Sequence, residues 1–138
     1  MQVSDEVTAS SASALLGQLV RMPGGGEVFP AGCPSRVVLD HVTSKWGVLV
    51  LVALADGPQR WSELRRRAEG VSEKMLAQTL RTLEADGLVH RDAQPVIPPR
   101  VDYSLTDRGA ELVALLLPLF GWVVANADDI VGERSGAR

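Results

Sequence analysis

Apolar and polar positions alternate along this chain with two periods, and the change of period marks out its elements. Val37, Val38, His41 and Val42 repeat at helical spacing behind Pro34, which suits a first helical position. Ser44 then reads as the cap of a second helix over 46–55. Its body is almost wholly apolar and stops at Asp56-Gly57-Pro58. Composition alone would allow a strand there; cap and stop favour a central buried helix. A third, short helix is expected from Trp61 or Ser62 to Ala68, capped by Ser62, with Leu64 and Ala68 on one face and Gly70 closing it. Ser72 caps a fourth, running to about Ala85 and stopped by Gly87. Leu76, Leu80 and Leu83 form its core stripe. The period then shortens to two in residues 88–91 and 101–105, as in half-buried strands. Pro95, Pro98 and Pro99 stiffen the intervening loop over 92–100. Thr106 caps a last helix from Asp107 to about Asp128.

The ends differ from this middle. Residues 1–32 read as an extension, either a mobile segment or an arm for a partner subunit. Leu15, Leu16, Leu19, Val20 and Met22 suggest one short amphipathic helix before the break at Pro23-Gly24-Gly25-Gly26. Residues 33–128 form the compact domain, and 129–138 a flexible tail. The greasiest stretch, 112–127, contains Pro118 and Gly121 and falls short of the ~20 residues a membrane span needs. A buried or interfacial helix is the expectation, with no membrane partner. The start lacks a signal-peptide pattern, so a cytoplasmic location is expected.

The fold class expected is mainly α with a small β-hairpin. A short helix, a turn at Gly70 and a capped helix make a helix-turn-helix, and the hairpin after it makes a wing. The ~12 Å major groove of B-DNA admits one such helix, whose first residues reach base edges. Charge first speaks against this, because the 138 residues carry 14 basic and 17 acidic side chains, a net −3. Position reverses the point. Residues 60–91 hold seven basic and five acidic side chains, while 1–32 and 109–138 are each at −2. The basic residues sit where a DNA-reading head would be, and phosphate neutralisation depends on local charge.

The ordered set of motifs resembles the HxlR-type winged helix-turn-helix regulators, bacterial proteins related to MarR. Carrying the resemblance are Cys33-Pro34, Leu39-Asp40, Lys45-Trp46, Gly57-Pro58 and Glu63-Leu64-Arg65. The runs Val71-Ser72-Glu73-Lys74-Met75-Leu76, Leu80-Arg81-Thr82-Leu83-Glu84-Ala85-Asp86-Gly87-Leu88-Val89 and Pro98-Pro99-Arg100-Val101-Asp102-Tyr103-Ser104-Leu105-Thr106 extend it. It covers residues 33 to about 127. Departures are Ser44 for a common Gly, Gln94-Pro95 where an aromatic is frequent, and the long N-terminal extension. The resemblance implies a homodimeric DNA-binding transcriptional regulator.

Within that frame, Lys74, Gln78 and Arg81 are the leading DNA-contact candidates, with Thr79 and Thr82 behind them; the bland alternative is a solvated helix face. Ser72 is first a cap, and its backbone end also suits a phosphate. Arg65, Arg66 and Arg67 cannot share one face. One or two should touch phosphate, and another should pair with Glu69 or Glu63. Arg100 at the wing base contacts DNA or pairs with Glu84 or Asp102. Trp46 and Trp61 read as core. The last helix is apolar nearly all round, which calls for cover on every side. A second subunit at Leu115, Leu116, Leu119, Phe120, Trp122 and Val123 is the simplest cover. Helical dimerisation elements are thus expected at both ends.

Cys33, the only cysteine, precludes an intrachain disulfide. A helix N-terminus favours the reactive thiolate, and some members of the resembling family sense oxidants with this cysteine. Its plain alternative is a small side chain at a helix start. Two histidines and one cysteine offer no metal-ligand spacing, and no nucleophile–base–acid set is present. Neither metal, cofactor nor enzymatic activity is expected. The function expected is a homodimeric, sequence-specific regulator on an inverted-repeat operator, responsive to oxidants or to a small-molecule effector in a cavity of Trp46, Phe120 and Trp122. The rival is a winged-helix protein-interaction module.

Overall fold

The computed structural model describes residues 30–136. The short helix expected around residues 15–22 and the glycine break after it lie outside the described residues. Five helices and three strands follow in order: α1 Pro34–Val42, α2 Lys45–Ala53 with a 3-10 turn Leu54–Asp56, β1 Gln59–Arg60, α3 Trp61–Arg67, α4 Glu73–Ala85, β2 Val89–Gln94, β3 Arg100–Leu105 and α5 Asp107–Gly136. Two compact units divide after Asp40, inside α1. In the first, Val37 N–H donates to the Cys33 carbonyl at 3.1 Å and Arg36 lies 3.7 Å from Asp40, one turn on. Val37, Val38 and Leu39 are exposed.

The second unit is built around α2. Ser44 Oγ accepts the Gly47 N–H at 3.1 Å, so the serine caps this helix as its sequence implies. Val50 and Leu51 are fully buried, together with Leu54, Leu64, Leu76 and Leu83. Removing each such side chain from water stabilises the fold by ~1.5–3 kcal/mol. The greasy run is therefore a helix because α4 and α5 pack on it, and a strand's two faces are not needed to bury it. At the far end of α4, Asp86 Oδ2 lies 2.8 Å from His41 Nδ1.

The sheet has one strand more than the periodicity predicts. β1 pairs antiparallel with β3, Gln59 opposite Tyr103 and Arg60 opposite Asp102, giving the order β1–β3–β2. A two-residue strand shows no alternation, and its partner is far along the chain. Gln59 is buried and its Nε2 donates to the Ala53 carbonyl, which ties β1 to the end of α2. The hairpin is longer than expected: Asp92, Ala93 and Gln94 pair with Asp102, Val101 and Arg100. Only residues 95–99 are left as loop, because prolines at 95, 98 and 99 cannot donate to a ladder whereas 92–94 can.

Two helix boundaries also differ. α3 begins at Trp61, with extended Arg60 as its N-cap and the Arg60 N–H donating to Glu63 Oε1 at 3.2 Å. Ser62 lies inside the helix and is not its cap, because the β1 pairing carries extended backbone up to Arg60. α5 continues past Asp128 to Gly136. Residues 127–134 contain no proline, and an isolated Gly132 costs a helix only ~1 kcal/mol. Its 28-residue span Asp107–Arg134 is long and apolar enough to cross a membrane by length and composition, with 11% of its most apolar window buried. The helix therefore extends well beyond the apolar stretch 112–127 at both ends.

Thr106 anchors α5 where it leaves the sheet. Its Oγ1 donates to the Gly87 carbonyl at 2.6 Å and accepts the Gly109 N–H at 3.0 Å, while its N–H donates to the Leu88 carbonyl at 3.1 Å. A Cβ on Gly109 would sit 2.0 Å from that Leu88 oxygen. Gly109→Ala is expected to cost about 2 kcal/mol or more, the usual scale of overpacking against backbone. A thermal melt checks it, and an unshifted midpoint would show that α5 slides freely on the turn.

Candidate nucleic-acid interface

The turn between α3 and α4 needs a glycine. Gly70 has φ +92°, a left-handed conformation that side chains disfavour. Ser72 Oγ then accepts the Met75 N–H at 3.1 Å and starts α4. Leu76, Thr79, Leu80 and Leu83 face inward. That leaves Ser72, Lys74, Met75, Gln78 and Arg81 exposed and Thr82 half-buried. The expectation for Thr79 does not hold. It is only 9% exposed and shares the core stripe at i+3 from Leu76, so it has no path to a DNA base.

The three arginines of α3 separate by role. Arg65 Nη1 lies 3.1 Å from Glu73 Oε1, a partner on α4, not the expected Glu63 or Glu69. Arg67 Nη1 contacts Asp56 at 2.8 Å and the Ala53 carbonyl at 3.2 Å, so it braces the turn after α2. Arg66 is exposed and has no ion-pair partner among the described residues. Arg100 Nε lies 3.0 Å from Asp102 Oδ1, which settles its pairing on the nearer of its two expected acids.

Trp61 is the hub of this surface. It is half-buried against the core and lines three cavities. One of about 510 Å³ is shared with Ser62, Arg65, Arg66 and Glu73; one of about 410 Å³ lies between Arg81, Glu84, Arg91 and Tyr103. The third, about 470 Å³, runs from Arg60 to the wing at 96–101. The cavities bring Arg60 and Arg91 into the group, two cations absent from the expected site. In the sequence both are only members of a basic stretch; the β1–β3 pairing and the β2 register place them beside these cavities. Arg60, Arg66, Lys74, Arg81 and Arg91 all lack an ion-pair partner among the described residues. Charges left unpaired in this way can neutralise a polyanion at no cost in broken salt bridges.

The apolar surface lies elsewhere. On α5, Leu115 is 72% and Trp122 58% exposed, and Leu119 and Val123 are exposed as well. Phe120 is half-buried. Leu116 is not exposed with them: at 8% exposure it packs into the domain's own core with Val113. Leu117, Val124, Ile130 and Val131 join the exposed set, the last two because the helix continues. Trp46 packs against the core, with Lys45 Nζ 4.6 Å from its ring centre. Among the described residues no cluster of His, Cys, Asp and Glu could hold a metal ion.

Known proteins share this fold. The sequence model of the HxlR-like helix-turn-helix family matches residues 41–130. The HTH-type transcriptional regulator YtfH of Escherichia coli (strain K12) is 51% identical over 109 residues, 79% of this chain and 86% of that protein. The solved structure of the transcriptional regulator ytfH from Salmonella typhimurium matches with a TM-score of 0.73 at 50% identity, covering 79% of this chain and 97% of that one. The redox regulator HypR in its oxidised form matches with a TM-score of 0.64 at 38% identity, covering 68% and 97%.

Proposed function

The chain belongs to the HxlR-like helix-turn-helix family of transcriptional regulators, and from that premise we propose that it works as a homodimer binding an inverted-repeat operator in the cytoplasm. The observation that carries the reading is the outward face of α4. Exposed Lys74 and Arg81 lack ion-pair partners among the described residues and flank exposed Gln78, in a chain of net charge −3. α4 enters the major groove, where Gln and Arg suit adenine and guanine edges. Arg60, Arg66 and Arg91 meet phosphates beside it. The acidity of the rest of the chain limits nonspecific binding, so affinity depends on this one face and falls steeply with salt.

Dimerisation supplies the second half-site. The exposed apolar side chains of α5 are too many to leave in water, and a two-fold partner covers them with their own copies. Recognition helices in such a dimer meet half-sites one or two helical turns apart, in steps of ~34–36 Å. The test is selection of bound duplexes from a random pool. Inverted repeats are the expected product. If no sequence is enriched even at low salt, the fold serves as a protein-interaction module instead.

Cys33 favours a second layer, response to oxidants. Its Sγ accepts the Arg36 N–H at 3.4 Å at the start of α1 and is half-buried, and the similarity to redox regulator HypR supports the reading. With one cysteine per chain, oxidation yields an intersubunit bridge, a small-thiol adduct or a sulfenate. Mild peroxide added to the selected duplex complex should then change affinity in the wild type and leave Cys33→Ser unaffected.

A further inference from the structure

The cavity between α4 and the sheet holds a charge for which a phosphate-binding surface has no use. It measures about 410 Å³, within the ~300–1,000 Å³ range of small-molecule sites. Ala77, Leu80, Arg81 and Glu84 reach it from one face of α4, at helical spacing. Arg91 and Tyr103 reach it from the sheet. They stand directly opposite each other on β2 and β3 and therefore project on one side. Trp61 completes the wall.

Two observations point to a ligand. Tyr103 is only 8% exposed, and its hydroxyl has no hydrogen-bond partner among the described residues. That oxygen is not sealed in the core, where Gln59 Oε1 is the unpartnered side-chain atom among the described residues, so it opens to the cavity that the tyrosine lines. The second observation is charge. Arg81, Arg91 and Glu84 share the cavity, yet no ion pair joins them, and none of them has another ion-pair partner among the described residues. A simple anion would meet repulsion from Glu84. A ligand with one charge of each sign and an apolar body satisfies every group present.

We propose that this cavity binds a free α-amino acid with an aromatic or branched aliphatic side chain. Arg81 and Arg91 donate to its carboxylate, the geometry for which guanidinium is suited. The Tyr103 hydroxyl donates a further hydrogen bond, Glu84 accepts from the ammonium, and the side chain lies against Trp61 and Leu80. Arg81 is then held away from the operator, so the ligand lowers DNA affinity. That consequence rests on the DNA-binding reading above; the site itself does not.

Calorimetric titration of the full chain tests the site, with L-phenylalanine, L-leucine, 3-phenylpropionate and phenethylamine as probes. 3-Phenylpropionate lacks the ammonium and phenethylamine lacks the carboxylate. L-Phenylalanine should bind about tenfold tighter than either, the effect of one charge-assisted hydrogen bond. Glu84→Gln should weaken L-phenylalanine about tenfold while 3-phenylpropionate binds as well as before or better. Tyr103→Phe should weaken L-phenylalanine about fivefold. Melts of both variants should match the wild type, because neither removes a hydrogen bond or ion pair found among the described residues. The zwitterion site is wrong if neither amino acid binds at millimolar concentration, if 3-phenylpropionate binds as tightly as L-phenylalanine, or if Glu84→Gln weakens both probes alike. Saturating L-phenylalanine should also lower wild-type affinity for the selected duplex about tenfold, as loss of one charged contact per subunit implies. Unchanged affinity would overturn the link to Arg81. If the wild type enriches no duplex, the DNA-binding reading falls by itself, and calorimetry still decides the site.

Discussion

Trp122→Glu is expected to leave the protein monomeric at micromolar concentration and to reduce operator affinity by a factor of about 10²–10⁴, the avidity that linking two half-site contacts provides. Trp122 is 58% exposed on α5, among Leu115, Leu119 and Val123, which are exposed as well. In a two-fold interface each substitution acts twice, because the same patch serves both subunits. A glutamate there must be stripped of water without a partner, which costs far more than the lost apolar contact. The domain should still fold, since Val113 and Leu116 of the same helix, and not Trp122, enter its core. Sedimentation and a thermal melt on the same sample separate the two effects. A variant that stays dimeric would move the interface away from this face of α5.

The second large effect concerns the recognition face. Replacing Lys74 and Arg81 together by alanine removes from each subunit two exposed cations that have no ion-pair partner among the described residues. If both touch phosphate, a dimer loses four contacts, and the slope of log K against log salt flattens by about 3–4. Affinity at low salt then falls uniformly across operator sequences. If Arg81 instead pairs with a guanine edge, the slope flattens by half as much and discrimination at one base pair is lost, worth ~1–3 kcal/mol. Titrating the double variant on the selected duplex and on single-base mutants of it distinguishes the two. Unchanged binding would mean that another face meets DNA. Stability should be untouched, because the core stripe of α4 lies on its other side.

Much of this site is legible in the sequence, for identifiable reasons. Ser44, Ser72 and Thr106 mark helix starts because a side-chain oxygen ahead of a helix satisfies an N–H that the helix itself leaves open. Gly70 and Gly87 mark turns because their φ values are positive. Lys74, Gln78 and Arg81 fall opposite Leu76, Leu80 and Leu83 by helical period alone. Thr79 is buried where a DNA-facing position is expected, because threonine suits both a core stripe and a DNA-facing one and only packing against the rest of the domain decides. Leu116 is buried where an exposed position is expected, for the mirror reason. On a helix apolar all round, composition cannot say which leucines meet the chain's own core and which meet solvent.

Pairings between distant elements were harder to read. The ion pair of Arg65 with Glu73, the brace of Arg67 on Asp56, the partnership of Arg60 and Arg91 with Trp61 and the existence of β1 all depend on residues brought together by the fold. None has a periodic or spacing signal. The wing shows the same limit: its prolines mark a stiff loop over 92–100, but four of those residues, 92–94 and 100, are strand, and Ile97 stands out exposed between them.

The sequence by itself determined the order of elements, the turn and cap residues, and the concentration of basic charge between residues 60 and 91 in a chain of net charge −3. These are local properties: propensity, backbone sterics and the placement of charges along the chain. Tertiary structure alone decided which of those charges pair with one another among the described residues and which become braces. It also decided which faces of α5 remain bare, and that the wing ends in an uncharged apolar knob. Those outcomes depend on distances between residues far apart in sequence, and a charge or an apolar side chain acquires its role only from what packs beside it.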